Sequence, residues 1–350
     1  MNRRVLASRR ALLPAACLAA SLAVVAWGCR SAPPPGGDAG AGGLEPGGAV
    51  SSESGGDAVP VPEAFSLLGE PLFRPGLPDA LRAEREEQLA EARARYEADP
   101  GDPDALIWLG RRTAYLGRYR EAAALFSRGV ERFPEDARFL RHRGHRFLTL
   151  RRLDLAEADL ARAGELVRGR PDRVEPDGLP NERGIPTSTL QSNVWYHLGL
   201  ARFARGDFEG ALEAYRECLA VSGNPDMLVA TSHWLYMTLR RLGRDGEAGE
   251  VLEPIHADLD VIENHAYHRL LLLYRGELAA EDLLADVEAG SLDFATLAFG
   301  VAHLHLVEGR RAEAETLFRH IVESGRDDQW PAFGHLAAEA ELARRAGRAF

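Results

Sequence analysis

Between residues 117 and 309 one local pattern returns six times: a helical stretch, a turn residue, then an acidic or leucine residue followed shortly by alanine. The turn residues are Gly117, Arg151, Gly206, Gly243, Gly276 and Gly309, separated by steps of 34, 55, 37, 33 and 33 residues. The step of 55 is one period of 34 plus an insertion of 21. A unit of this length cannot bury its apolar face alone, so its copies must stack. A period near 34 predicts an all-α array of helix-turn-helix units.

The recurring residues say how the units pack. The first reads Leu109-Gly110, Gly117-Arg118-Tyr119-Arg120-Glu121-Ala122, then Phe126, Gly129 and Pro134. The third reads Trp195, Leu198-Gly199, Gly206-Asp207-Phe208, Ala211, Tyr215 and Cys218, and the sixth Ala302, Gly309, Glu313-Ala314, Phe318 and Ile321. Small residues mark close helix crossings and large ones fill the space beside them. This set resembles the tetratricopeptide repeat family over about residues 103–325. The resemblance implies a solenoid of five to six repeats. Repeats one and two span 103–169 and repeats three to six span 190–325. Repeat five departs from the pattern, with Arg269 and Glu281 where small residues belong. Residues 63–102 read as an N-terminal segment with a capping helix near 79–98, and 326–350 as a C-terminal capping helix, since an array exposes apolar ends.

The chain opens with an address. Arg3, Arg4, Arg9 and Arg10 precede the apolar run Ala11–Trp27, 17 residues long. That is short for a membrane span and suits a secretory signal. Residues 1–28 therefore read as a leader. Ala26-Trp27-Gly28-Cys29 resembles a bacterial lipoprotein signal, which implies lipid on Cys29 and, with Arg30 following, the outer membrane. Residues 29–62 carry nine glycines and six prolines and read as a disordered tether, too poor in apolar side chains to offset its ordering entropy.

Composition removes several chemistries. All 42 basic residues are arginine, against 53 acidic ones, for a net charge of −11. The absence of lysine excludes Schiff-base chemistry and a P-loop, and the acidic balance argues against a nucleic-acid partner. No HExxH, GxSxG or CxxC occurs. Cys218 falls at a helix-packing position. His265 and His268 are the best metal-ligand pair, at i, i+3; His303 and His305 point to different sides of a helix and cannot share an ion. We expect no cofactor and no catalysis. A metal-dependent enzyme at His265 and His268, and a glycan or small-ligand receptor stacking on Tyr196, Phe203 and Phe299, are the alternatives.

What remains is surface. The family resemblance implies a concave groove lined by first helices. Its inward positions here include Arg111, Arg138, Arg141, His145, Tyr196, Leu200, Phe203, Arg240 and Phe299. A basic first half and an apolar second half suit a protein or peptide ligand with an acidic or carboxylate end. The insertion, residues 170–189, contains Pro171, Pro176, Pro180 and Pro186. We expect an ordered recognition loop beside the groove, anchored by Leu179 and Ile185 and offering Asn181, Glu182 and Arg183 as polar contacts.

Overall fold

The computed structural model describes residues 61–348. The leader, Cys29 and the tether up to residue 60 lie outside the described residues. The described chain begins with a two-stranded antiparallel hairpin, β1 (Ala64–Phe65) and β2 (Pro71–Leu72), which the sequence reading did not anticipate. Fourteen helices follow among the described residues. After α1 (Asp79–Ala98) they form pairs: α2 (Pro103–Tyr115) with α3 (Tyr119–Arg132), α4 (Ala137–Thr149) with α5 (Leu153–Val167), and α6 (Leu190–Arg205) with α7 (Phe208–Ala220). The series continues with α8 (Pro225–Arg241) and α9 (Asp245–Leu252), then α10 (His265–Tyr274) and α11 (Ala280–Leu284). It closes with α12 (Leu292–Val307), α13 (Arg311–Ser324) and α14 (Phe333–Arg345). The protein is an all-α helical solenoid.

The repeat pattern has a direct structural cause. Each turn glycine adopts a left-handed backbone, with φ from 69° to 85° at positions 117, 206, 243, 276 and 309. A residue without Cβ enters that region at no steric cost. Where the helices cross, Phe126, Leu160 and Tyr215 press against Gly110, Gly144 and Gly199, and a Cβ there would meet them at 2.5, 2.7 and 2.4 Å. In repeat five the second helix shrinks to five residues, and Arg269 reaches across to the Leu283 carbonyl.

The interior differs from an open groove. First helices α4, α6, α8, α10 and α12 pack in succession, and α12 also reaches back past α10 to α8. Helix α14 is not a cap on the end of the stack. It packs against α12 and α13 and, across the interior, against α6. Ten of its thirteen residues are buried, which requires partners on every face. Gly334 permits the tightest approach: a Cβ there would lie 2.1 Å from the Ala295 carbonyl oxygen.

Helix α14 is also locked to the first described segment and to the α4–α5 turn. Glu339, fully buried on α14, receives Arg151 in a two-pronged bond, Nε at 3.0 Å and Nη2 at 2.7 Å. The Leu67 amide donates to the same carboxylate at 2.9 Å, and His335 Nε2 lies 3.1 Å away. Burial alone would raise the Glu339 carboxyl, but Arg151 and His335 outweigh it and hold it at about 2. Arg151 also donates to the Trp330 carbonyl at 2.6 Å, while the Trp330 indole donates to Phe73 at 2.8 Å. Arg151 is the one non-glycine among the described residues with positive φ, at 61°. Its side chain supplies what glycine could not.

Candidate functional site

The inserted segment is ordered by contacts on both flanks. Val174 bridges Thr189 in antiparallel fashion, and the Glu175 amide donates to the Ser188 carbonyl at 3.1 Å. Thr189 caps α6 through the Ser192 amide, at 3.1 Å, and Ser192 returns the bond. On the α2 side, Arg111 donates to the Pro176 carbonyl at 2.8 Å and Arg112 to that of Gly178 at 3.1 Å. Gly178 sits so close that a Cβ would lie 2.1 Å from the Tyr115 hydroxyl. On the α10 side, Arg183 forms a two-pronged pair with Asp260 at 2.8 and 2.9 Å, and Asn181 reaches Glu263 at 3.2 Å. The loop thus spans from α2 to the segment before α10. Glu182 is exposed. Leu179 and Ile185, expected as anchors, are each 51% exposed; polar bonds to the flanking helices hold the loop instead.

Beneath it lies a cationic cluster drawn from three first helices. Arg141 on α4 places Nε 3.1 Å from Glu175 Oε2, and His142 Nε2 lies 3.2 Å from Oε1. Asn193 on α6 donates to Oε2 at 2.8 Å. Arg141 Nη1 also donates to His142 Nδ1 at 2.8 Å, so that ring must be neutral. Burial, with Arg141 beside it, pushes His142 well below its ordinary value. The fit is imperfect: Arg141 Nε and Glu175 Oε1 are buried without a directed hydrogen bond. One turn on, the His145 ring packs at a tilt against His197 at 4.3 Å and against Phe333 of α14 at 5.5 Å. Burial keeps both imidazoles uncharged, His197 at about 3.

Arg146 completes the cluster. It lies over the Tyr119 ring at 5.4 Å, and among the described residues it has neither ion pair nor hydrogen bond. Burial, with Arg141 and Arg111 nearby, pulls its guanidinium down to about 10. Of the arginines gathered here only Arg141 pairs with a carboxylate, and that carboxylate belongs to the loop.

The remaining candidates are placed elsewhere. Arg138 is consumed by Asp136 and Asp104, whose bonds raise it further. Arg240 pairs with Asp245 at 2.9 Å and donates to the Tyr236 hydroxyl at 2.7 Å, apart from the cluster. Tyr196, Leu200, Phe203 and Phe299 do not line an accessible groove. All four are buried; Phe203 packs edge-on against Trp234 at 5.3 Å, and the Tyr196 hydroxyl accepts from the Trp234 indole at 2.8 Å. The inner helices converge on one another and on α14, so these rings form the core, unavailable for stacking on a glycan.

No three His, Cys, Asp or Glu side chains converge to hold a metal among the described residues. His268 bonds the His256 carbonyl at 3.0 Å. The Cys218 thiol is buried against Ser192 and Thr231, and burial pushes it up to about 11, away from nucleophilic use. Sequence reasoning missed Glu175, His142, Arg146 and Asn193. The only signal, for His142 and Arg146, was the run Arg141-His142-Arg143-Gly144-His145-Arg146, whose positive residues exceed what one helix face needs.

Fold and site together define a class: a helical-repeat array whose inner face is filled by its own last helix and roofed by its own insertion. A tetratricopeptide repeat model matches residues 192–225, the α6–α7 pair and the turn beyond. By that match the chain carries a tetratricopeptide repeat at residues 192–225. No curated protein matches it. Among solved structures it is similar to YrrB, a TPR protein with an unusual peptide-binding site. The two share 13% identity, with 72% of this chain and 97% of that one covered and a TM-score of 0.37. It is also similar to a tetratricopeptide repeat protein from Parabacteroides merdae, at 14% identity, 74% and 93% coverage and a TM-score of 0.44.

Proposed function

We propose that the protein is a non-catalytic scaffold that binds an acidic segment of another protein at the loop-covered cationic end. The observation that carries this reading is the state of the Arg141 site. It holds a carboxylate supplied by the chain itself, yet leaves a buried donor and a buried acceptor without hydrogen bonds. Arg146 beside it has no anion. A charge-assisted bond contributes about 1.5–3 kcal/mol, and a half-buried guanidinium without a counter-charge keeps part of its desolvation cost. A partner carboxylate better aligned than Glu175 therefore gains on both counts. The outer stitches of the loop, such as Arg183 with Asp260, are exposed and screened by salt, so they oppose its displacement weakly.

In this reading the protein is exported, lipidated on Cys29 and tethered to the bacterial outer membrane by residues 29–62, where it serves envelope assembly. The support is the sequence of the leader. Labelled fatty acid incorporated by the wild type and lost in Cys29→Ser tests that part.

The binding reading is tested with the full chain in detergent and a fluorescein-labelled hexaglutamate peptide. Glu175→Gln removes the resident charge and is expected to tighten binding by roughly tenfold, the equivalent of one such bond. Arg141→Gln with Arg146→Gln is expected to weaken it by at least as much. Equal affinity in the wild type and Glu175→Gln would show that the loop is no surrogate ligand, and the reading would fail.

A further inference from the structure

A second collection of arginines lies outside the loop-covered cluster, where α8, α12 and α14 end and α13 begins. A cleft of about 650 Å³ is lined there by Arg240, Arg241, Arg311, Arg344 and Arg345. Two carboxylates, Glu315 and Glu341, share the lining, and each is already doubly used. Glu341 Oε1 accepts from both Arg241 and Arg344. Glu315 pairs with Arg345 at 3.2 Å and with Arg319 at 2.7 Å. Arg240 leans on the exposed Asp245, which does not line the cleft. Arg311 has no ion pair, and its guanidinium no hydrogen bond, among the described residues.

Three further features resist a purely structural account of this cluster. The lining carries an excess of three positive charges in a chain whose net charge is −11. Arg344 Nε is enclosed and has no hydrogen-bond partner. Arg311 occupies the first position of α13, where a cation opposes the helix dipole instead of complementing it. Helix-end stabilisation explains Arg240, Arg241, Arg344 and Arg345, which sit in the last turns of α8 and α14. It does not explain Arg311, nor why all five meet.

We propose that this cleft binds a phosphoryl-bearing polyanion, a diphosphate or equivalent group of two to three negative charges. Planar guanidinium forks match pairs of phosphate oxygens, and several of them around one group give the geometry of phosphate recognition. The lining contains no aromatic ring and only Leu306 and Val307 as apolar surface. It offers no stacking platform for a base and no socket for a large apolar side chain, so recognition falls on the charged group. This site is independent of the acidic-segment reading above, because it shares no residue with it.

Calorimetric titration of the full chain in detergent with inorganic pyrophosphate tests the proposal. Saturable binding is expected, falling as salt rises and weakened at least tenfold in the double variant Arg240→Gln, Arg311→Gln. Both substitutions leave the α14 contacts intact, so the circular dichroism melt should not move. Arg162→Gln, an exposed arginine of α5 outside both clusters, serves as control and is expected to bind pyrophosphate as the wild type does. Competition by a nucleoside diphosphate would identify a soluble source. Sedimentation with phosphatidylcholine vesicles only when they contain phosphatidic acid would identify a lipid headgroup. Absence of saturable binding at millimolar pyrophosphate, or equal binding by the double variant, overturns the proposal.

Discussion

Arg151→Gly is the substitution with the most divided physics, because it removes backbone strain and breaks a buried pair at once. Arg151 holds φ at 61°, a region that costs a residue with a Cβ about 1–2 kcal/mol. The other five turns show that glycine is the relaxed choice. Yet Arg151 supplies both prongs of the Glu339 pair, with side-chain exposures of 3% and 0%. Removing one partner of such a pair costs about 3–5 kcal/mol, since the other charge stays buried and uncompensated. The pair therefore wins, and Arg151→Gly should lose about 1–4 kcal/mol. Adding Glu339→Gln removes the stranded charge while an amide oxygen still faces the Leu67 amide. The double variant should recover most of the loss. Urea unfolding followed by circular dichroism, run as a double-mutant cycle, reads the coupling. If Arg151→Gly is as stable as the wild type, or the two losses simply add, the pair is not what joins α14 to the α4–α5 turn.

Three further outcomes follow from the same geometry. The Glu339 carboxyl lies at about 2 against an ordinary 4.5; a depressed acid stabilises the fold above its unfolded value and loses that contribution as pH falls through the window, here about 3 kcal/mol, so urea midpoints should drop between pH 4.5 and 2 in the wild type and much less in Glu339→Gln. Gly178→Ala should lift the loop from Tyr115 and speed amide exchange across 170–189, with the melting temperature nearly unchanged. Gly334→Ala should force α14 away from the Ala295 backbone and cost about 1–3 kcal/mol in urea unfolding.

The repeat fold was legible because its signal is periodic: the same turn residue and the same small-large pairs return at fixed spacing, and each constrains only near neighbours. The filled interior was not. Read alone, Phe333–Arg345 is an alanine-rich helix, and only its packing against α6, α12 and α13 shows that small residues on every face let it fit among them. Arg151 stood out as the exception among glycines, but its partner lies 188 positions away, and a single long-range pair leaves no period to detect. The same holds for Glu175 and Arg141. Their charges were visible, but no pattern in the sequence says that one neutralises the other.

An ordinary repeat array behaves like a spring: its units touch only their neighbours, it stretches and coils end to end, and folding spreads along it from any point. Tying Leu67 to Arg151 through Glu339, and Arg151 in turn to the Trp330 carbonyl, removes that freedom. The molecule trades elasticity for a single cooperative closure whose contacts span most of the chain, and such closures form slowly. Until α14 has been made, the earlier repeats must wait without Phe333 over His145, Tyr196 and His197, so the incomplete chain is the species most exposed to aggregation. Loss of the segment after Asp328 should then loosen the hairpin at residues 64–72, more than 250 positions earlier, and not merely fray one end.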